Sequence, residues 1–469
     1  MTGPPSESSS SPARTFAWVG DAVPRYQSFH TVADHRDRSR ALAAEHDHVA
    51  YRELGETPGG EDLWAVTVGE GDRAALLFGA PHPNEPIGSM TVDFLLHELA
   101  ANAALRDSLD YEFVCVPVAD PDGVRQNEGW FDGPFTLSNY AQNFYRPPPD
   151  EQIEATFPIE HEEYTFSDAT AGTEALADLV DEYDPAFQFS LHNAPFGGCY
   201  YYSSEALEPL HDTLQSLPEE YGVPLNRGDP ENHRNEAFAD GVFRLPTFED
   251  RYDDVADGDE PPQEALLGGN AYDYARRATD GDPPVQFVVE LPYFRDPRVG
   301  DETELDRSRE TVIREAVAER RPLVTELRAA VAATVEWFPD TSMAREVRGV
   351  FDWYAEEDES RLAWAESEDE TDDPATVAQQ VEERYTWTYH LLTNAGMLLR
   401  TLDHAAMAVD DEAARRRLVD AKAAVERVFT NHIAELQQGL DYDVVPIRDL
   451  VAIQARAGLV CLDYLQKKE

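Results

Sequence analysis

Four side chains in this sequence have the types and the settings to do chemistry together: His82, Glu85, His192 and Glu290. The first two lie three positions apart in "GAPHPNEPIG", where an apolar run ends. His192 follows the apolar run "AFQFSL", and Glu290 ends "VQFVV" and precedes "LPY". Two imidazoles and a carboxylate, with a fourth position open, make up the ligand set of a catalytic zinc site. A further carboxylate beside the metal can take a proton from water. Taken singly, these residues have plainer readings. A His-x-x-Glu pair recurs by chance, and a His after a strand often caps or packs. Glu290 resists the plainer reading, because an isolated carboxylate at the end of an apolar strand is costly unless it is paired or beside a metal. The spacing of His82 and Glu85 suits a loop whose side chains turn back on one ion, and Pro83 and Pro86 would stiffen that loop. "HELAA" at His97 is not a helical zinc motif, since Ala101 stands where the second His would be.

Residues this far apart need a scaffold that brings strand ends together. Strand-like runs fall at 63–68, 74–79, 111–118, 186–191, 198–202 and 285–291, with helical patterns between them, notably 87–105 and 173–183. Such alternation predicts an α/β domain with a mixed, mostly parallel central sheet flanked by helices. In open sheets of this class, ligands bind beyond the carboxyl ends of the strands. The run at 111–118 ends in "ADPDGVR", which adds Arg125 to the edge that carries the two His and two Glu. Loops rich in Pro, Gly and Asp fall at 132–134, 146–150, 227–232 and 257–263.

After about residue 301 the texture becomes helical. One helix is expected at "DDPATVAQQVEERYTW", capped by Asp373, with Pro374 in its first turn and Val377, Val381 and Tyr385 on one face. Another is expected over 412–440, and the acidic run 366–373 reads as an exposed linker between helices. The chain divides accordingly into a disordered tail over 1–20, an α/β domain over 21–300 and an all-helical domain over 301–469. Three roles are open for the helical domain: covering the site, forming a homodimer, or stabilising the core. No internal repeat is present.

Composition narrows the setting. The 469 residues include 92 Asp and Glu against 38 Lys and Arg, a formal net charge of -54. Only Lys422, Lys467 and Lys468 are lysines. Phosphates would be repelled, so nucleic acid is excluded as a partner. Acids are spread along the whole length while aromatics remain at 10%, which argues against a single disordered acidic block. A surface this acidic repels itself in dilute buffer and is tolerated when salt screens it, as in an extreme halophile. The cysteines, Cys115, Cys199 and Cys461, are few, odd in number and far apart, which fits a reducing cytoplasm. No apolar run of about 18 residues predicts a membrane span, and the first residues lack the pattern of a signal peptide.

The ordered set "GAPHPNEPIG", "PVADPDGVR", "FSLHN" and "VVELPY" resembles the zinc carboxypeptidase family, the carboxypeptidase A-like, funnelin-type metallopeptidases. The resemblance covers roughly residues 60–300. It implies that His82, Glu85 and His192 hold zinc. It also implies that Glu290 is the base that activates water at the metal and later the acid that protonates the leaving amine. The family binds a substrate carboxylate through an Asn-Arg pair. "NYAQNFYRPP" offers Asn143, followed by Phe144 in place of Arg, with Arg146 further on. An oxyanion-stabilising Arg would fall after "PDG", where Arg125 stands. Two arginines and two tasks leave their assignment open.

Two departures bear on substrate. The family's capping Tyr precedes a Gly-Gly; here Gly268-Gly269 has no such Tyr, and Tyr272, Tyr274 or Tyr293 would have to substitute. Asn84 stands where the peptidases often carry Arg, which also resembles the aspartoacylase and succinylglutamate desuccinylase branch, cleaving N-acyl amino acids. Hydrolysis of peptides at the C-terminus is thus the leading expectation. Deacylation of N-acyl amino acids is the alternative within the fold. A non-catalytic binding protein with a vestigial zinc site is the alternative outside it. His161 and His233, in segments matching neither pattern, are expected to face solvent.

Overall fold

The computed structural model describes residues 16–228, 230, 235–256, 261–279, 281–367 and 369–468. Its centre is a nine-stranded sheet. In chain order the strands are β1 (Val49–Glu56), β2 (Asp62–Val68), β3 (Arg73–Gly79), β4 (Tyr111–Val116), β5 (Phe187–Leu191), β6 (Tyr200–Ser203), β7 (Ala237–Ala239), β8 (Val242–Arg244) and β9 (Val285–Glu290). Their spatial order is β1-β2-β4-β3-β5-β9-β6-β8-β7. The inner strands β4, β3, β5 and β9 run parallel to one another. β1 and β2 close one edge antiparallel, and β6 lies antiparallel to β9 on the other side. All residues of β5 and β9 are buried, as are all but the first of β3. Strands covered by helices on both faces must be apolar throughout, which is why they read as unbroken apolar runs.

The flanking helices are α1 (Val32–Glu45), α2 (Pro86–Ala101), α3 (Ala171–Tyr183), α4 (Arg309–Thr334), α5 (Ser342–Ser367), α6 (Trp387–Ala408), α7 (Glu412–Gly439) and α8 (Ile447–Lys468). α2 and α3 follow the strand-to-helix alternation. Pro86 opens α2 at the position where a missing N–H costs nothing. Thr170 caps α3 by accepting from the Thr173 N–H.

The C-terminal helices do not stand apart from the sheet. α8 lies against β5 so closely that a Cβ on Gly458 would sit 2.3 Å from the Phe189 ring. Gln454 of α8 is fully buried; its Nε2 donates to the carbonyls of His192 (3.0 Å) and Val289 (3.2 Å), and its Oε1 accepts from Thr91 (2.8 Å). The last helix thus packs as part of the α/β layer, although it lies far beyond residue 300. α6 is pressed onto the helix Leu137–Asn143: a Cβ on Gly396 would meet the Ala141 carbonyl oxygen at 1.8 Å. One hydrophobic cluster runs from β3 and α2 through α5, α6 and α8.

Two local expectations are corrected, and a third holds in part. Asp373 is not the helix cap, because Pro374–Thr376 pairs as a short strand with Glu304–Ser308. The helix begins at Val377, with Thr376 and Gln379 forming a capping box. The acidic run between helices keeps its expected exposure at Glu366, Asp372 and Asp373, while Thr371 within it is buried and its hydroxyl donates to the Ala365 carbonyl. His161 is half-buried against Tyr252, with ring centroids 4.7 Å apart, so it does not stand free in solvent. Of the expected tail, residues 1–15 lie outside the described residues, while Phe16 and Val19 are buried. His233 also lies outside the described residues.

Candidate metal centre

The parallel register levels three strand ends. Leu191 of β5 pairs with Gly79 of β3 on one side and Val289 of β9 on the other. His192 and Glu290 each come one residue after that level, and His82 three residues after Gly79. Ala80, with φ 49°, adopts the left-handed region and turns the chain out of β3. The Glu85 N–H then donates to the His82 carbonyl and closes the loop (3.1 Å). Glu85 occupies the N-cap of α2, yet its side chain caps nothing, which leaves its carboxylate to turn toward His82. Gly88 allows this helix start to press on β5; a Cβ there would lie 2.5 Å from the Leu191 carbonyl oxygen.

His82 Nδ1 lies 3.1 Å from Glu85 Oε1 and 3.2 Å from His192 Nδ1. His192 Nδ1 is 3.1 Å from Glu85 Oε2 and 3.7 Å from Glu290 Oε1. His82, Glu85 and His192 each place a ligand atom within 4.8 Å of the others. On its far side, His192 Nε2 is 2.7 Å from Ser190 Oγ, and Ser190 Oγ donates to Glu154 Oε1 at 2.7 Å. Burial pushes the His82 imidazole down to about 4, and the Arg146 guanidinium adds to that effect, so it is a neutral ring with a free lone pair. His192 behaves differently. Burial works against its charge, but hydrogen bonding to Glu154 and Glu85 and the charge of Glu290 hold its pKa well above the ordinary value.

These residues fit a divalent metal. Glu85 sets Oε1 3.1 Å from His82 Nδ1 and Oε2 3.1 Å from His192 Nδ1, so its carboxylate faces both imidazoles. Two ligand nitrogens about 2.0–2.1 Å from one tetrahedral ion stand about 3.3 Å apart, close to the separation of the two Nδ1 atoms. Two buried carboxylates, Glu85 and Glu290, and the partly buried Glu154 crowd one imidazole pair, an arrangement that a cation stabilises. A second group, His30, His35 and Asp93, also meets the spacing for an ion. There Arg38 already holds Asp93 through Nε (2.9 Å) and Nη2 (2.8 Å), which opposes a second cation.

The triad opens on a cavity of about 680 Å³. His82, Glu85, Glu290 and Arg146 line one side of it. Arg146 Nη1 comes to 3.9 Å from Glu85 Oε1, while its Nε donates to Gln152 Oε1 at 3.2 Å. The C-terminal helices also line it: Glu346, Gly349, Val350 and Trp353 of α5, Glu382 and Thr386 of the π-helical turn Glu382–Thr386, and Trp387 and His390 of α6. Covering the site is thus one role that the helical region has.

Two expected site residues stand elsewhere. Arg125 is bound to Glu61 (Nε to Oε1, 2.8 Å) and Glu128 (3.3 Å), and does not line the cavity. Its helix Pro121–Asn127 carries it toward the acids of a neighbouring loop. Asn143 donates to the Asn139 carbonyl at 3.0 Å inside its own helix and is likewise off the cavity. None of the three tyrosines considered for the substrate cap lines the cavity. Tyr293 donates to the Asn84 carbonyl (3.1 Å), Tyr274 to Asp181 (2.9 Å), and Tyr272 interacts with Ser204. Tyr200 and Tyr354 line the cavity instead. Sequence reasoning missed Ser190, Glu154 and Gln454. Ser190 lies two residues before His192 and so faces the same way from the strand, a spacing that could have found it. Glu154 and Gln454 have no sequence signal, since they reach His192 from a loop and from the last helix.

Residues 37–226 match the family model described as zinc carboxypeptidase. Over that span the resemblance carried by the motifs is borne out. The match takes in His82, Glu85 and His192 and ends before Glu290. Comparison with curated proteins gave no match. Among solved structures, carboxypeptidase A from Helicoverpa armigera is 13% identical, covering 62% of this chain and 76% of that one at a TM-score of 0.38. A metallo-carboxypeptidase from Burkholderia cenocepacia is 16% identical, covering 55% and 60% at 0.32. Bovine thrombin-activatable fibrinolysis inhibitor, in complex with tick carboxypeptidase inhibitor, is 12% identical, covering 57% and 87% at 0.32. Among the described residues no helix is long and apolar enough to cross a membrane.

Proposed function

We propose that this protein is a zinc-dependent amide hydrolase that releases C-terminal amino acids from peptides. The observation that carries the reading is the convergence of His82, Glu85 and His192, with Glu290 3.7 Å from His192, on one wall of the cavity that Arg146 also lines. A zinc ion held by His82, Glu85 and His192 would supply Lewis-acid polarisation of the scissile carbonyl and of the attacking water. Glu290 takes the proton of that water as the new C–O bond forms, and returns it to the amine as the C–N bond breaks. Arg146 holds the anionic part of the substrate, either its terminal carboxylate or the developing oxyanion. Ser190 and Glu154 fix the ring of His192 from behind.

One observation favours the second reading, deacylation of N-acyl amino acids. Asn84 lines the cavity, and its buried Oδ1 lacks a hydrogen-bond partner, leaving an acceptor for an amide N–H of the substrate. We also propose that the acidic surface is adapted to concentrated salt, and that the three buried free cysteines belong to a reducing compartment.

The test is hydrolysis of N-blocked dipeptides and of N-acyl amino acids in multimolar potassium chloride, with and without a zinc chelator. Chelator-sensitive release of the C-terminal residue is the expected result. A preference for acyl amino acids selects the second reading, and no chelator-sensitive turnover of either set rejects both.

A further inference from the structure

The part of the cavity lining that the C-terminal helices supply carries a carboxylate that the proposed reaction does not use. Glu346 lies on α5, outside the span that matches the family model, and lines the cavity with Gly349, Val350 and Trp353. Spacings of three, four and seven residues put these four on one helix face. Among the described residues Glu346 has no hydrogen bond and no ion pair. Its neighbours, Arg345 and Arg146, are differently engaged. Arg345 holds Asp150 (3.5 Å) and Glu151, and Arg146 is directed to Gln152 and Glu85. Burial raises the Glu346 carboxyl to about 7, with the Arg146 charge working against this, so a cation beside it would favour its ionised form.

Glu382, the other carboxylate of this wall, is in a different state. It is 4% exposed beside Glu383, and burial and the Glu383 charge push it up to about 8, so it is more enclosed than Glu346. Trp353 is half exposed at the same wall, 5.0 Å from Tyr354 between ring centroids, and its face adds to the attraction of a cation.

We propose that Glu346 is a specificity-determining residue that selects substrates bearing a positive charge, an ammonium or guanidinium, alongside the anionic group held by Arg146. The inference rests on the hydrolase reading for the term substrate, but not for the binding it asserts. The charge has two sources: a basic C-terminal side chain, or the free α-ammonium of an unblocked dipeptide. Either pairs with a desolvated carboxylate more strongly than with one in water.

The test is binding to the full chain carrying Glu290→Gln, so that no ligand is consumed. It is read by fluorescence of the cavity tryptophans in multimolar potassium chloride, which screens the general acidic field. The probes are N-acetyl-alanyl-norleucine, N-acetyl-alanyl-lysine and alanyl-norleucine. One of the two cationic probes is expected to bind at least tenfold tighter than the neutral one. Adding Glu346→Gln should bring that ratio to about one, Glu346→Asp should restore much of it, and the probe preferred identifies the source. Using a ratio within each variant removes any general loss of folding. Equal affinities for all three probes, a preference that survives Glu346→Gln, or no binding at all overturns the proposal. Turnover by the unmutated chain is a separate result: absence of hydrolysis with the preference intact rejects the hydrolase reading and leaves the role of Glu346 standing.

Discussion

His82 and His192 face each other through their Nδ1 atoms at 3.2 Å, although they stand 110 positions apart in the chain. Two neutral ring nitrogens at that distance repel through their lone pairs unless a proton or a metal ion lies between them. The buried carboxylates around them favour the ion. His82→Ala should therefore abolish stoichiometric zinc, measured by metal analysis after dialysis. Glu290→Gln should keep the metal and lower turnover by about 10²–10⁴-fold. Zinc retained at full stoichiometry by His82→Ala would overturn the ligand assignment.

Glu154 acts through Ser190 and His192. Glu154→Gln keeps the shape and removes the charge behind the ligand. The expected loss is about 10–100-fold in zinc affinity, measured by competition with a chromophoric chelator. A Kd equal to that of the unmutated protein would show that the ring needs no such support.

Gly349 sits mid-helix on the cavity wall, and a Cβ there meets nothing within 4 Å. Gly349→Ala should stabilise the protein by about 0.5–1 kcal/mol, since glycine costs that much in a helix interior. Gly349→Phe should project into the cavity and lower kcat/KM at least about tenfold at unchanged thermal stability. If Gly349→Phe is fully active, α5 does not wall the substrate path.

Glu382 links the helical wall to pH. Its folded pKa of about 8 lies above the ordinary 4.5, through burial and the neighbouring Glu383. Its contribution is fully present below about 4.5 and is lost as pH rises through about 8, because the unfolded chain ionises first. The unfolding free energy should fall across that window by an amount on the order of a few kcal/mol, read from denaturation curves at each pH. Glu382→Gln should flatten the decline; an identical slope in the variant would remove Glu382 as its source.

The formal net charge of -54 sets the salt response. Raising potassium chloride from about 0.1 M, where the Debye length is about 10 Å, to about 1 M, where it is about 3 Å, screens most of the self-repulsion. The melting temperature is expected to climb steeply over that range and beyond. A flat or falling curve by calorimetry would count against adaptation to salt.

The sequence by itself determined the central strands, the helices between them and the candidate metal-ligating trio. Strands buried on both faces must be apolar along their length, and a charged or imidazole side chain at the end of such a run stands out. The small residues that let elements touch, such as Gly88 against Leu191, gave no comparable signal. Tertiary structure alone decided which guanidinium reaches the site. Arg125 and Arg146 are equally plausible as text, but Glu61 and Glu128 bind the first, while the segment gripped by α6 delivers the second to the cavity. It decided the cap near residue 374 as well, where strand pairing overrode the local proline signal. It also decided that the C-terminal helices line the cavity and that Gln454 ties down the ends of β5 and β9. Most of these contacts join residues from about sixty to several hundred positions apart. Periodicity and capping report only on neighbours within a turn or a strand, so no local pattern records them.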